Sequence, residues 1–373
     1  MKEHLASNRI LRLLFWESTI KCNLSCAHCR RIESDEMAFS DLSTDEARNL
    51  IKQLAEFGMT QPTMPILVFS GGEPLCRKDI FELAGYARDK GIVTALATNG
   101  TLIDKAAARQ IADAGIARVA VSLDGATAEV HNKLRQGEDS FERASKGIGH
   151  LREANVAFQI NTALGKHNAE QINAIYELAN SLGAAALHIF MLVPVGCGQI
   201  LAETDMLSRQ EYEQKMVEIC ELEVKGRLQV KVTCGPHYER IIRQQGLLEA
   251  RKEKADSGSV PGRSRDGSVS RGCLAGLGVL FVGHQGDVFP CGYLPVKCGN
   301  ILDSTITEIW DGSKVLAEIC DSNKLEGKCG VCGYRHVCGG CRARAYAATG
   351  NYMAEEPFCA HIPPEATSQG PAV

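Results

Sequence analysis

Between residues 13 and 195, short apolar runs alternate with amphipathic stretches of helical length, and this alternation limits the fold more than any other feature. The apolar runs cover 13–19, 66–70, 93–98, 118–123, 156–162 and 186–193. They are rich in Val, Ile, Leu and Phe without strict polar alternation, as expected of parallel strands covered on both faces. The stretches between them carry helix-end signals. Ser43 with Glu46 three residues on forms a capping box, and Gly58 stops that helix. Further helices are expected near 79–90, 104–114, 140–154 and 168–182. Strand–helix units in this order predict an α/β fold with a parallel sheet and right-handed crossovers. The pattern stops near residue 196, which favours a partial (β/α)6 barrel over a full eightfold one. The functional end of such a barrel is at the C-terminal ends of its strands.

Downstream, 207–250 reads as helical with a short strand near 228–233. The segment 251–271 is rich in Ser, Gly and charge and reads as a linker or lid. From residue 272, Cys and Gly replace periodic helices, as in a small domain held by metal more than by core area. The expected organisation is a barrel over 1–206, a helical bridge and linker over 207–271, and a cysteine-rich domain over 272–373. A length of 373 residues, with 45% hydrophobic and 23% charged, suits two or three globular domains and excludes wholesale disorder. A net charge of −4 gives no general attraction to nucleic acid or anionic membranes. No apolar run reaches the roughly 18 residues of a membrane span. The first residues show no cleavable signal, so the expected compartment is the cytosol.

The chain has 16 cysteines, many in clusters with short gaps. In a reducing compartment this pattern points to metal or iron–sulfur ligation, not to disulfides. Cys22, Cys26 and Cys29 form CxxxCxxC just after the first strand. Three thiolates can hold three irons of a 4Fe–4S cluster and leave the fourth open to a cofactor or substrate. Zinc would need a fourth ligand, and His28 is too close in sequence to share one tetrahedron.

This motif resembles that of the radical S-adenosylmethionine (SAM) superfamily, and the resemblance extends over the barrel. Gly71, Gly72, Glu73 and Pro74 follow the second strand, where the family contacts the SAM amino group. Thr98, Asn99 and Gly100 end the third strand. Ser122 and Asp124 end the fourth, where ribose contacts are expected. His131 and Arg135 follow, and Arg135 matches a position that pairs with the SAM carboxylate. Asn161 ends the fifth strand, and Val193 ends the sixth near the expected adenine. His28 stands where many members carry Phe or Tyr.

Further on come Cys273 and Cys291 (with Gly286 between them), Cys329, Cys332, Cys338, Cys341 and Cys359. Their spacing resembles the SPASM domain, an auxiliary-cluster module of this superfamily. The resemblance implies one cluster on Cys329, Cys332, Cys338 and Cys359, and a second on Cys273, Cys291 and Cys341. Seven cysteines are one short of two full sets, so one or two auxiliary 4Fe–4S clusters remain possible; Cys234 and Cys298 are candidates for the missing ligand. Cys76, Cys197, Cys220 and Cys320 show no partner spacing and read as small buried hydrophobes.

Residues 158–162, 188–196, 233–238 and 338–346 resemble the heme-synthase group of the superfamily. That resemblance implies oxidative decarboxylation of two propionates of iron-coproporphyrin III to vinyl groups. It also implies an external electron donor such as a flavodoxin or ferredoxin. Arg335, Arg342, Arg344 and the basic linker are candidate partners for the substrate carboxylates. Cys234 or His237 is a candidate ligand of the porphyrin iron. The alternative is a sibling enzyme of the heme d1 or didecarboxysiroheme branch, or a peptide maturase. A maturase is disfavoured by the short stretch before the first strand. A non-catalytic cluster carrier would not need nucleotide-binding positions arrayed at successive strand ends.

Overall fold

The apolar runs become strands of one ten-stranded sheet in a computed structural model that describes residues 9–30, 40–226, 228–251 and 271–367. The strands are β1 (Leu13–Glu17), β2 (Ile66–Ser70), β3 (Thr94–Thr98), β4 (Arg118–Ser122), β5 (Phe158–Leu164), β6 (Ala186–Met191), β7 (Gln229–Thr233), β8 (Val279–Val282), β9 (Asp287–Phe289) and β10 (Gly299–Asn300). Their order is β10-β9-β8-β1-β2-β3-β4-β5-β6-β7. From β8 to β7 every neighbouring pair is parallel; β9 and β10 add antiparallel. The parallel run therefore does not stop near residue 196. It gains β7 beyond β6, and β8 on the far side of β1. β7 is short and interrupted by Lys231, and β8 is remote in sequence, so neither extends the βα alternation as read locally.

Helices α1 (Thr44–Gly58), α2 (Ile80–Asp89), α3 (Lys105–Asp113), α4 (Ala128–Arg135), α5 (Ser140–Glu153) and α6 (Ile172–Leu182) cover the sheet, followed by α7 (Arg209–Lys225) and α8 (His237–Gln244). The Ser43–Glu46 capping box opens α1 and the helix ends at Gly58, both as expected. The same device, Ser208 with Glu211, opens α7. α4 is short, ends on the left-handed Gln136, and was not anticipated. It matters because it carries His131 and Arg135.

Exposure alternates along the strands even though hydrophobicity does not. Leu14, Trp16, Leu67, Phe69, Leu96, Val119, Val121, Leu187 and Ile189 are fully buried. Each such aliphatic side chain contributes about 1.5–3 kcal/mol on burial. Their strand neighbours Phe15, Ala95, Ala97, Ser122, Asn161, His188 and Phe190 are only partly buried and face the other way, into the curved face of the sheet. There Ser122, Asn161, His188 and Lys231 lie in one register row across β4 to β7.

Beyond residue 271 the elements are short. They gather around a second, smaller core of Ala275, Leu294, Ile319, Leu325, Ala343 and Met353, joined by Val193 from the end of β6. No two of the 16 cysteines form a disulfide. No helix among the described residues is long and apolar enough to cross a membrane. The interior of the expected linker, 252–270, lies outside the described residues.

Candidate active site

The cysteine loop after β1 is fixed from several sides. Ser18 Oγ donates to the Ser70 carbonyl at 2.9 Å, and Thr19 Oγ1 donates to Asp41 at 2.6 Å. Asn23 donates to Thr101 Oγ1 at 2.8 Å and accepts from Asn99 Nδ2 at 2.9 Å. The Ala27 amide donates to the Leu134 carbonyl at 2.9 Å, which ties the loop to α4. The Gly198 amide donates to the Cys29 carbonyl at 3.2 Å from the turn after β6.

Gly71 and Gly72 continue the β1–β2 pairing into this loop. The Gly72 and Glu73 amides donate to the Thr19 and Lys21 carbonyls, each at 2.8 Å. A Cβ on Gly71 would stand 2.4 Å from the Thr19 carbonyl oxygen, and one on Gly72 2.4 Å from that of Lys21. Gly71 also has φ +148°, which side chains rarely adopt. Glu73 is fully buried. Its carboxylate accepts from Thr98 Oγ1 and the Asn99 amide, both at 2.8 Å, and from the Leu75 amide at 3.1 Å. It works as a strut between β2 and β3, so the GGEP run offers backbone, not carboxylate, to the space above the strands. Burial raises the Glu73 pKa against those hydrogen bonds.

Asp124 is fully buried after β4. It accepts from Arg135 Nε at 2.5 Å and from the Ala163 amide at 2.8 Å, while its own amide donates to His131 Nδ1 at 3.0 Å. Burial pushes its pKa up, but Arg135 and the nearby His28 and His131 outweigh that, and the carboxyl stays well below the ordinary range. Arg135 also directs Nη1 at Cys26 Sγ, 3.8 Å away. Buried Cys26 nevertheless has a raised thiol pKa, because desolvation exceeds the help from Arg135. Burial lowers the His28 pKa to about 4, which leaves a neutral ring, and its buried Nδ1 has no partner among the described residues.

Ser122 and Asn161 are adjacent in register at the ends of β4 and β5. Asn161 accepts from Gln159 Nε2 at 3.0 Å, and the same amide contacts His188 Nδ1 at 3.0 Å. Val193 is 4% exposed and belongs to the second core.

The C-terminal cysteines fall into two sets. Cys329, Cys332, Cys338 and Cys359 line one recess together with His237 and Arg240. Backbone amides already point at these sulfurs: Glu356 N to Cys329 at 3.3 Å, Tyr334 N to Cys332 at 3.4 Å, and Gly340 N to Cys338 at 3.5 Å. Gly339 and Gly340 are consecutive left-handed glycines, which turn that last amide inward. Burial raises the thiol pKa of Cys329, Cys338 and Cys359. Cys338 is buried and the other three partly so, and thiols gathered this way are disfavoured as thiolates unless a cationic group joins them.

The second set is Cys273, Cys291, Cys341 and Cys234, which share the smaller core. Cys234 adopts a left-handed φ of 57° and its thiol hydrogen-bonds that of Cys341. The shared proton and burial both push Cys234 up, while the same hydrogen bond pulls Cys341 down against its burial. Cys298 lies elsewhere, against the main core, with its thiol on the Val296 carbonyl at 3.7 Å. Of the four cysteines read as buried hydrophobes, only Cys220 is fully buried; Cys76, Cys197 and Cys320 are partly exposed.

Three residues organise this region: Glu356, which the sequence reading missed, and Arg344 and Arg342, which it offered to the substrate. Glu356 is fully buried between the two sets: its amide serves Cys329, and its carboxylate accepts from the Cys341 amide at 2.6 Å. Arg344 pairs with Glu356 at 3.0 Å and donates to Tyr212 Oη at 2.9 Å. Arg342 donates to the carbonyls of Tyr352 and Ala354 at 2.9 and 2.8 Å. Arg342 and Arg344 are 1% and 0% exposed, so these internal bonds remove them as partners for substrate carboxylates. His237 is also fully buried, in the recess of the first set, and burial lowers its pKa to about 3.

The family model of the radical SAM superfamily matches residues 16–179, and that of the SPASM iron–sulfur cluster-binding domain matches residues 273–333. An AdoMet-dependent heme synthase of Methanosarcina barkeri is 45% identical over 96% of this chain and 99% of its own length. An Fe-coproporphyrin III synthase of the same organism is 31% identical over 93% of this chain and 87% of its own. The solved structure of native anSMEcpe with bound AdoMet shares the fold, with a TM-score of 0.64 and 22% identity over 92% of this chain and 93% of that one. The chain belongs to the radical SAM superfamily, in the SPASM-bearing branch that includes the AdoMet-dependent heme synthases.

Proposed function

We propose that the chain is a radical SAM heme synthase that converts two propionate side chains of iron-coproporphyrin III to vinyl groups. Family membership brings SAM and 4Fe–4S clusters as cofactors. Similarity over nearly the full length of a heme synthase is the observation that carries the reading. The substrate itself rests on the motif resemblance and on the name of the more distant Fe-coproporphyrin III synthase.

Cys22, Cys26 and Cys29 would hold the open cluster. The tight Gly71–Gly72 approach, the orphaned His28 Nδ1 and the Arg135 guanidinium beside Cys26 fit such a group. When bound, the cluster and SAM supply a carbon radical able to remove a hydrogen atom. Arg135, oriented by Asp124, presents a cation to the SAM carboxylate, while the backbone of Gly71, Gly72 and Glu73 faces its amino group. Asn99 fixes the cysteine loop, Ser122 and Asn161 line the nucleotide side, and Val193 closes it from the second core. Asp124 acts mainly through Arg135, because both its oxygens are already engaged.

For each propionate –CH2–CH2–COO⁻, removal of one hydrogen atom, CO2 and one electron leaves –CH=CH2. The cysteine set of Cys329, Cys332, Cys338 and Cys359 would hold an auxiliary cluster that accepts this electron. Cys273, Cys291 and Cys341 would hold a second one, with Cys234 as its fourth ligand. Lys231, exposed on the curved face in one row with His188 and Asn161, offers a cation to a propionate. A flavodoxin or ferredoxin in the cytosol would supply the initiating electron. The test is isotopic: substrate deuterated at the propionate β-carbons should pass deuterium into 5′-deoxyadenosine. Label retained in the porphyrin while 5′-deoxyadenosine accumulates would refute the site of abstraction.

A further inference from the structure

We propose that His237 donates a hydrogen bond to the iron–sulfur cluster held by Cys329, Cys332, Cys338 and Cys359, and that this bond favours the cluster's reduced state. The inference rests on reading that recess as a cluster site. His237 opens α8, fully buried, with its ring edge-on to Tyr212 at 4.9 Å between centroids. His237 lines the recess with the four cysteines. Neither Nδ1 nor Nε2 has a partner among the described residues.

A neutral imidazole has one N–H to give and one lone pair to fill. Leaving the donor unmet in a buried site forfeits its hydration with nothing in return, and native proteins rarely accept that. The recess is where the missing acceptor belongs. A cluster presents sulfur acceptors to its wall, and backbone amides from Tyr334, Gly340 and Glu356 already approach the thiols from other sides. The surroundings still suit a negative group: Arg240, 2% exposed, Lys328 and Arg335 line the same recess, and its one carboxylate, Glu356, is paired with Arg344.

The direction of the effect follows from charge. Reduction adds one negative charge to the cluster, and a hydrogen bond to a more negative sulfur is stronger. A fixed N–H therefore raises the potential and makes the cluster a better acceptor for the electron released with CO2. His237 is thus a positioning and tuning residue, rooted in the β7–α8 segment and reaching into the C-terminal cysteines. This differs from its expected role as a ligand of the porphyrin iron, since a fully buried ring in the cysteine recess presents no nitrogen to a substrate in the curved face of the sheet.

The test is an EPR-monitored redox titration of the full reconstituted chain with iron analysis. His237→Phe keeps a ring and removes the donor; His237→Gln restores an N–H. His237→Phe should keep its iron and lose roughly tenfold in the oxidised-to-reduced equilibrium, ~59 mV downward for a one-electron couple. His237→Gln should recover at least half of that. In the wild type, pulsed EPR on 15N-histidine-labelled protein should show one weak nitrogen coupling to the reduced cluster. An unchanged potential at full iron, no histidine coupling, or the strong coupling of a directly bound nitrogen would each overturn the inference. If Cys338→Ala and Cys359→Ala keep all their iron, the cluster reading of the recess itself fails.

Discussion

Replacing Glu356 with Gln removes the anion from a fully buried ion pair and leaves Arg344 uncompensated. Burial opposes ionisation of Glu356, but Arg344 and His237 more than offset it and lower its pKa from 4.5 to about 2. At roughly 1.4 kcal/mol per pH unit, the carboxylate contributes about 3 kcal/mol to the folded state. That contribution is complete above pH 4.5 and fades as pH falls toward 2. Breaking a buried pair from one side costs about 3–5 kcal/mol, in line with this figure. The loss falls on the joint between the two cysteine sets, because the same carboxylate receives the Cys341 amide. In anaerobic thermal melts of reconstituted protein, E356Q should lower Tm by roughly 5–10 °C. It should also release iron from the C-terminal clusters before the rest of the chain unfolds. Adding Arg344→Met should recover part of the loss, since the orphaned cation is then gone. A variant E356Q with full iron that melts within about 2 °C of wild type would refute this reasoning.

Other outcomes follow from the same geometry. Ala at Cys329, Cys332, Cys338 or Cys359 should preserve SAM cleavage, lower iron by about one cluster and stop vinyl formation; full vinyl yield at reduced iron would show the cluster dispensable. Gly71→Ala forces a Cβ to 2.4 Å from a carbonyl at a φ that side chains avoid, so it should cost about 1–3 kcal/mol and most 5′-deoxyadenosine formation, measured by denaturation and chromatography. Lys231→Met should weaken iron-coproporphyrin binding about tenfold in a spectral titration, while 5′-deoxyadenosine formed without substrate stays unchanged.

The six barrel strands and most covering helices were legible because buried parallel strands and capped helices write their periods locally. β7 and β8 were harder: β7 earns its place by pairing with β6, and β8 by pairing with β1 across more than 260 residues. Cysteine spacing marked the region as cluster-binding, while the division into two sets was implied by the SPASM resemblance. Spacing could not place Cys234, whose relation to Cys341 depends on how the β7–α8 turn meets the C-terminal core. Arg342 and Arg344 looked like substrate cations because a basic cluster beside cysteines has the same sequence signature whether it faces solvent or Glu356. Glu356 itself gave no signal, because an acidic pair such as Glu355 and Glu356 usually lies on the surface. The role of Glu73 was also hidden: GGEP marks the turn, but only the fold shows its carboxylate turned into β3.

The most direct test of the account is anaerobic incubation of the reconstituted chain with SAM, a low-potential reductant and iron-coproporphyrin III, followed by mass spectrometry of the porphyrin. The account predicts conversion of two propionates to two vinyl groups, with 5′-deoxyadenosine formed alongside, and loss of both when Cys22, Cys26 and Cys29 are replaced by Ala. An unchanged porphyrin mass in an enzyme that still cleaves SAM would contradict the heme-synthase assignment, and 5′-deoxyadenosine from the triple variant would contradict the cluster assignment beneath it.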